Sequence, residues 1–181
     1  VPQARCRAII VASKYKNFVL PNELLFEEEY KTVRDAIADL PYVDARSQTE
    51  MADIYHRCST HKQSTIDVIA QVPHNGGSRP KGVGPKCLDK VNGFSDVYGR
   101  LSWDKPSITI TQYARNPASG RYSHPEQNRG LTIREAARLQ SFPDGYLWNG
   151  SLGDVFKQIG EAVPPLLALA IATQIVLTIK E

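Results

Sequence analysis

The sequence predicts a mixed fold of helices and strands, of the α+β or α/β class, on three observations. A continuous apolar run at residues 8–12 is typical of a buried strand. A string at residues 129–144 carries start and stop signals of a helix. An irregular, glycine-rich segment at residues 73–99 separates the two. With 41% hydrophobic and 23% charged residues, the chain has the composition of a soluble globular protein.

The N-terminal segment predicts a strand with a polar lead-in. Residues 8–12 (AIIVA) include β-branched side chains and are expected to be buried between neighbouring strands. Gln3, Arg5 and Arg7 alternate ahead of this run. They fit a polar strand entrance, but arginine also suits the binding of phosphate or base acceptors, because its planar fork donates two parallel hydrogen bonds.

Charge is distributed unevenly along the chain, although the net charge is only +3. Residues 1–21 sum to +4, residues 22–53 to −6, and residues 57–105 to +4. The basic middle segment is therefore a candidate surface for a polyanion, and the acidic stretch fits a solvated face. The three cysteines, Cys6, Cys58 and Cys87, are too few and odd in number for a disulfide framework, which indicates a reducing compartment.

Two helical regions are predicted before the glycine-rich segment. The first is an acidic connector at residues 23–40, with Val33, Ile37 and Leu40 on one face and a proline stop. The second lies within residues 51–72. Nearby histidines and cysteines match no common zinc spacing, so we expect no metal site and predict solvent-facing side chains for His56, Cys58, His61 and Cys87.

The glycine-rich segment at residues 73–99 contains six glycines and three prolines, which exclude a regular element. It is either a flexible basic loop or a pair of loops that contact DNA. Glycine allows the backbone to approach a phosphate, and Lys and Arg neutralise its charge. Candidate DNA contacts, including two positions further along the chain, are Gly76, Gly77, Ser78, Arg79, Lys81, Lys86, Arg100 and Thr109.

The alternation at residues 108–113 predicts another strand, because isoleucine and threonine succeed each other with a period of two. The helix at residues 129–144 then begins with a capping box, Thr132 with Glu135, and is closed by Phe142 before Pro143. Glu135 is also placed to pair with Arg138. Spacing alone favours a solvated amphipathic helix here.

The C-terminal residues 166–179 carry no charge and predict a helix that is apolar on all sides. Such a helix must be buried, and it is shorter than a membrane span, so we expect no membrane contact. This chain is too short to cover it. Since the sequence also starts at Val1 without a methionine, we expect a piece of something longer.

Three strings resemble motifs VIII, IX and X of the DNA (cytosine-5) methyltransferases, in the family's order. They are QARCR at residues 3–7, RGLTIREAARLQSFPD at residues 129–144 and QIGEAVPP at residues 158–165. The resemblance implies a small α+β target-recognition domain, with a strand and a terminal helix from an otherwise missing Rossmann-like methyltransferase domain. The implied division is 1–45 for the end of the catalytic domain, 46–150 for recognition and 151–181 for the return to the catalytic domain.

The same resemblance implies roles for individual residues. Arg5 and Arg7 would contact the flipped cytosine or its phosphate. The string at residues 158–165 would line the S-adenosylmethionine pocket through Glu161, Ala162 and Val163, with Glu161 replacing the family's usual Asn. The residues that order the recognition domain would be Arg129, Thr132, Glu135 and Arg138.

The family's nucleophile is a cysteine in a Pro-Cys pair, and no such pair occurs in this sequence. The resemblance therefore implies a bacterial, cytoplasmic and nucleoid-associated protein that binds double-stranded DNA but is inactive without an N-terminal catalytic portion. That portion could belong to the same chain or to a separate subunit. A non-catalytic DNA-binding module is a third possibility. A transfer-RNA methyltransferase fits less well, because the motif IX and X strings resemble those of restriction–modification enzymes.

Overall fold

The computed structural model describes residues 1–12, 14, 18–22, 25–46, 52–90 and 95–180. Its helices are α1 (Val33–Ile37), α2 (Gln63–Ala70), α3 (Ile133–Leu139), α4 (Leu152–Glu161) and α5 (Pro165–Lys180). Short 3-10 turns occupy Glu27–Glu29, Lys86–Asp89 and Pro117–Ser119. Glu23 and Met51, where two helical regions were predicted to begin, and part of the glycine-rich segment at residues 91–94 lie outside the described residues.

Helix α3 lies at the centre of the molecule. The predicted capping box is confirmed: the Glu135 amide donates to Thr132 Oγ1 at 3.1 Å, and the Thr132 amide donates to Glu135 Oε2 at 2.8 Å. The helix buries all of its residues except Arg138, which is partly buried. It is therefore a core element, and the solvated helix that its spacing favours is not what forms.

The main core packs α1 and α4 against α3. Val33 and Ile37 of α1 are buried as predicted, and Leu40 packs against them from the edge. Val155, Phe156 and Ile159 contribute the inward face of α4. The core thus draws on all three segments into which the sequence was divided, because the long segment between α1 and α3 also supplies Leu101, Ile110, Ala114, Tyr122 and Leu131.

A second, smaller core lies under the glycine-rich segment. Val68 and Ile69 of α2 pack with Val72, Val97 and Tyr98. Partly buried Val83 and Leu88, from within the glycine-rich segment itself, close over this group. The segment is therefore anchored by apolar contacts at several points, although it contains no long helix or strand.

Both predicted strands are wrong in the described part of the chain, where pairing is limited to isolated bridges. Residues 8–12 form no ladder, and Ile10 is 94% exposed. A strand needs a neighbour for its backbone groups, and no described segment forms a β-bridge with these residues. At residues 107–113 the pairing is a single parallel bridge between Ser107 and Gln3. The regular elements among the described residues are helices, so the predicted α+β class is not clearly supported.

Helix α5 is apolar and lies on the surface. Leu166, Leu169 and Ile179 are 54%, 62% and 62% exposed, so the predicted burial is not provided by this chain. The run Leu152–Ile179 is long and apolar enough to cross a membrane by length and composition, with a mean hydropathy of 2.0 over an 18-residue window. However, its first part is α4, which is packed in the core. Alone, α5 has 16 residues, fewer than the roughly 20 that span a bilayer.

Candidate functional site

The first loop of the glycine-rich segment, residues 73–78, has a fixed conformation in this structure. The Asn75 amide donates to Pro125 O at 3.0 Å, and Asn75 Oδ1 accepts from the Trp103 amide at 2.7 Å. Gly77 is required here, because a Cβ at this position would lie 2.0 Å from Pro73 O. These contacts fold the loop back against residues 100–103 and 121–125. The two alternatives for the whole segment, a flexible basic loop or a pair of loops that contact DNA, both stay predictions.

Arg121 ties the same loop to the body of the protein. Its Nη1 donates to the carbonyl oxygens of Gly76 and Gly77 at 2.8 and 2.9 Å. Its Nη2 donates to Ser78 Oγ at 2.6 Å, and its Nε donates to Asp96 Oδ1 at 3.0 Å. One guanidinium therefore holds three consecutive loop residues.

The position of Arg100 corrects its prediction as a DNA contact. The residue is fully buried. Its guanidinium donates to carbonyl oxygens on both sides, so it cannot reach a phosphate without losing these bonds. The acceptors are Ile69 O, Val72 O, His124 O, Gln127 O and Asn128 Oδ1. Arg100 instead joins the second core to the segment that leads into α3.

Arg79 differs from Lys81 and Lys86, two of the three lysines of the glycine-rich segment, in how far its side chain is held by the protein. Arg79 donates to Asp89 Oδ1 at 2.9 Å and to Val83 O at 2.7 Å, and its side chain is 7% exposed. The hydrogen bond from Arg79 lowers the pKa of Asp89. Arg79 therefore stabilises the segment in this conformation rather than extending from it. Lys81 and Lys86 are exposed and make no ion pair with any described residue.

The residues before α3 form a buried ionic cluster. Arg129 donates from Nη1 and Nη2 to the two carboxylate oxygens of Glu135 at 2.8 and 2.7 Å. Burial would raise the pKa of Glu135, but Arg129 and the Thr132 amide lower it to about 2. Burial lowers the pKa of the adjacent His124 to about 4. The cluster is thus an ion pair beside a neutral histidine.

The exposed edge of α3 corrects the prediction that Glu135 pairs with Arg138. Arg138 instead binds both oxygens of Asp144 at 2.8 and 2.6 Å and Asp39 at 2.6 Å. Arg134 binds Asp53 and the Asp144 carbonyl. These two arginines do share one face, as their spacing predicted, and that face attaches α1 and the turn after α3 to the helix.

The N-terminal residues 3–7 pack beside residues 107–110 and the end of α4. Arg5 Nη1 donates to Ile110 O at 2.9 Å and to Gly160 O at 3.1 Å. Arg7 is exposed, and its Nη1 bonds to the neighbouring Cys6 carbonyl. Thr109, predicted to contact DNA, donates to Ala4 O at 3.1 Å. The two arginines are therefore not equivalent. Arg5 donates hydrogen bonds to carbonyl groups within the protein, whereas the side chain of Arg7 is exposed to solvent.

The predicted cofactor-binding residues lie at the end of α4 and in the turn that leads to α5. Glu161 and Val163 are exposed, and the Ala162 amide donates to Ile159 O at 3.3 Å. The next amides of the turn are absent at Pro164 and Pro165, and the Leu166 amide donates to Ser141 Oγ. Few free N–H groups remain for a carboxylate. Among the described residues, these three do not form a cradle that fits S-adenosylmethionine.

The histidines and cysteines before the glycine-rich segment have structural contacts. His56 and Cys58 are buried, which contradicts the predicted exposure. His56 bonds to Thr132 Oγ1 at 3.1 Å and to Pro41 O at 2.8 Å, and His61 accepts from the Gly130 amide at 3.0 Å. In the part of the chain that the structure describes, no cluster of His, Cys, Asp or Glu is arranged to hold a metal ion.

Sequence reasoning missed Arg121, Gln3 and Gln140 as organising residues. Gln3 Oε1 accepts from the Ile110 amide at 2.8 Å, and its Nε2 donates to Gln140 Oε1 at 3.0 Å. Gln140 Nε2 in turn donates to Ile159 O at 2.8 Å. These bonds join residues more than 15 positions apart, so no local spacing could reveal them.

Comparisons with known proteins show which family the chain belongs to. Residues 1–177 match the family model described as C-5 cytosine-specific DNA methylase. Type II methyltransferase M1.HphI of Haemophilus parahaemolyticus is 37% identical over 176 residues, which cover 95% of this chain and 43% of the relative. Type II methylase M.HgiDII of Herpetosiphon aurantiacus is 34% identical, over 97% of this chain and 51% of the relative. The chain spans about half the length of these curated relatives.

A solved structure adds evidence on the fold alone. A DNA modification methyltransferase encoded within a prophage of Escherichia coli superimposes with a TM-score of 0.57 at 20% identity. The match covers 83% of this chain and 47% of that chain. Because the family model extends over nearly all of the sequence, the chain belongs to the C-5 cytosine-specific DNA methylase family.

Proposed function

We propose that this chain is the C-terminal, DNA-recognising portion of a DNA (cytosine-5) methyltransferase. The complete enzyme would transfer a methyl group from S-adenosylmethionine to C5 of a cytosine flipped out of duplex DNA. The observation that carries the proposal is a loop at residues 73–78 that is hydrogen-bonded to the core and is followed along the chain by the exposed lysines Lys81 and Lys86. A fixed loop beside free cations suits the binding of a duplex.

The two features would act differently on DNA. Lys81 and Lys86 would neutralise phosphates, which contributes affinity independent of sequence. The loop would present its backbone and short side chains to base edges, where sequence is read. Together they would offset the few kcal/mol that extrusion of a base from the stack costs. Arg7, which is exposed beside the packed Arg5, is the better placed of the two to contact the flipped nucleotide or its phosphate.

The chemistry would come from a catalytic portion that this chain does not contain. No cysteine follows a proline in the sequence, and residues 161–163 form no cofactor cradle. We therefore propose that the catalytic portion supplies both the residues that bind S-adenosylmethionine and the nucleophilic cysteine. Its contact surface on this chain would be α5, whose apolar side chains lie exposed.

DNA binding by the chain tests the proposal. A fluorescein-labelled duplex of mixed sequence should bind with an affinity that falls as salt rises, since each phosphate contact releases counterions. Lys81→Ala and Lys86→Ala should each reduce the slope of log affinity against log salt by about 1. Lys157→Ala, on α4, is the matched control and should leave the slope unchanged. Absence of binding at low salt, or equal slopes for all variants, would contradict the proposal.

The intact mass of the native polypeptide separates the arrangements that the sequence leaves open. A mass larger than 20.1 kDa by roughly one further domain would indicate a single-chain enzyme. A mass of 20.1 kDa with a co-purifying partner that carries a Pro-Cys pair would indicate a split enzyme. The same mass without such a partner would indicate a DNA-binding module. The relatives named as type II methyltransferases support a restriction–modification role, which would place the protein on bacterial DNA in the cytoplasm.

A further inference from the structure

Arg121 stands apart from the other arginines near the glycine-rich segment, because its side chain contacts the loop backbone directly. It is 17% exposed, so it is not positioned as a free cation. It precedes Tyr122 and Ser123, whose backbones are fixed by bonds from Leu131 to Tyr122 O and from Leu101 to Ser123 O. The backbone next to Arg121 is therefore held in the core, while the guanidinium of Arg121 reaches the loop.

The donors of Arg121 are fully used. A guanidinium has five N–H donors. The two on Nη1 are shared among Gly76 O, Gly77 O and Arg100 O, those on Nη2 face Ser78 Oγ and the Asp96 carboxylate, and Nε donates to the same carboxylate. Gly77 O also accepts from the Arg100 amide at 2.9 Å. The loop is thus tied at consecutive residues by one planar group, and a single ammonium cannot reproduce that arrangement.

We infer that Arg121 is a specificity-determining residue that acts by positioning residues 76–78. This inference rests on the proposed function, since it concerns how the loop would read DNA. A loop held in its binding conformation loses little entropy when a duplex binds, and its side chains meet the base edges in one register. Arg121 itself would contact no base. It would position Ser78 and the loop backbone, which would contact the base edges.

The test compares Arg121→Lys with the wild-type chain. Lysine keeps the positive charge, so any change in exchange or binding reports the loss of the planar guanidinium donors rather than a loss of attraction for phosphate. Arg115→Lys is the matched control, because Arg115 is exposed and contacts none of residues 76–78. Amide hydrogen exchange, measured by NMR, should accelerate about tenfold at Asn75 and Arg100 in Arg121→Lys and remain unchanged in Arg115→Lys.

A second readout uses a pool of duplexes with a randomised centre. Wild type and Arg115→Lys should enrich the same sequences, whereas Arg121→Lys should lose roughly tenfold of that preference and keep the same salt dependence on a mixed-sequence duplex.

Unchanged amide exchange in Arg121→Lys would overturn the positioning role. Faster exchange with preference intact would overturn the specificity role, as would a wild-type chain that enriches no sequence. A wild-type chain that binds no duplex would overturn the proposed function, while the exchange data would still decide whether Arg121 holds the loop.

Discussion

Arg129 and Glu135 form a bidentate ion pair, with N–O distances of 2.8 and 2.7 Å, and both side chains are 1% exposed. The same carboxylate completes the capping box of α3 through the Thr132 amide. The pair therefore joins the lead-in segment to the first turn of the central helix. Removing one partner would leave the other as a buried charge without compensation.

The first prediction concerns this pair. Glu135→Ala should lower the free energy of unfolding by about 3–5 kcal/mol, because Arg129 would stay buried without its carboxylate. Urea denaturation measures the loss. Arg34→Ala is the control, since the Arg34–Asp104 pair is exposed on both sides, and its effect should be much smaller. Equal losses in the free energy of unfolding for the two variants would show that burial of the Arg129–Glu135 pair does not increase its contribution to stability.

The second prediction concerns pH. Burial lowers the pKa of His124 from 6.5 to about 4, so the unfolded chain binds a proton at a higher pH than the folded one. Stability from this residue is complete above pH 6.5 and is lost as pH falls toward 4. The pKa of Glu135 is lowered from 4.5 to about 2, which adds a second loss of stability as pH falls from 4.5 toward 2.

His124→Gln isolates the upper window. Glutamine has no charge to gain, so the decline in the urea midpoint between pH 6.5 and 4.5 should become shallower in this variant than in the wild type. The steeper decline below pH 4.5, which comes from Glu135 and other carboxylates, should persist. Identical profiles for the two proteins above pH 4.5 would contradict the assignment to His124.

The third prediction concerns the contact between α4 and residues 111–112. A Cβ on Gly160 would lie 2.1 Å from the Gln112 backbone nitrogen. Alanine favours a helix over glycine by about 1 kcal/mol, but the overlap with backbone should cost more. Gly160→Ala should therefore destabilise the protein by about 1–3 kcal/mol. Gly145→Ala, where nothing lies within 4 Å, should change stability little, and a similar loss at both sites would refute the close approach.

The fourth prediction separates the two N-terminal arginines. Arg5→Ala should lower the free energy of unfolding by about 1–3 kcal/mol, since it removes charged hydrogen bonds to Ile110 O and Gly160 O. Arg7→Ala should change it by less than about 0.5 kcal/mol, because the side chain is exposed. Thermal and urea unfolding of both variants measure the difference. A larger effect for Arg7 would reverse the roles assigned here.

The fifth prediction concerns α5. Leu169 is 62% exposed, so Leu169→Glu should leave the free energy of unfolding within about 0.5 kcal/mol of the wild type. It should also reduce self-association and dye binding to exposed apolar surface, measured by light scattering and ANS fluorescence. Leu139→Ala in the core is the comparison and should cost about 2–5 kcal/mol. A comparable loss for Leu169→Glu would mean that α5 is already covered.

Local signals in the sequence predicted local structure well. Thr132 and Glu135 stand three apart, and both partners of a capping box lie within one turn, so the start of α3 was predictable. Val33 and Ile37 identified the buried face of α1 in the same way. Family resemblance, through strings such as that around Arg129, predicted the family itself.

Features that depend on distant residues were not predictable. Residues 8–12 have strand composition, but a strand forms only beside a partner, and the described residues provide none. Arg100 lies in a basic segment, yet five acceptors from two separate stretches, residues 69–72 and 124–128, surround it and bury it. Arg121 had no signal of its own, because its acceptors lie 21 to 45 positions away.

Methyl transfer by the purified chain tests the central claim most directly. The chain would be incubated with tritiated S-adenosylmethionine and the same mixed-sequence duplex that it is expected to bind. We expect no tritium in the DNA although the duplex is bound, because the sequence contains no Pro-Cys pair and the described residues 161–163 form no cofactor cradle. Incorporation of tritium above that of a sample without protein would contradict the account, since the chain would then contain a complete catalytic centre.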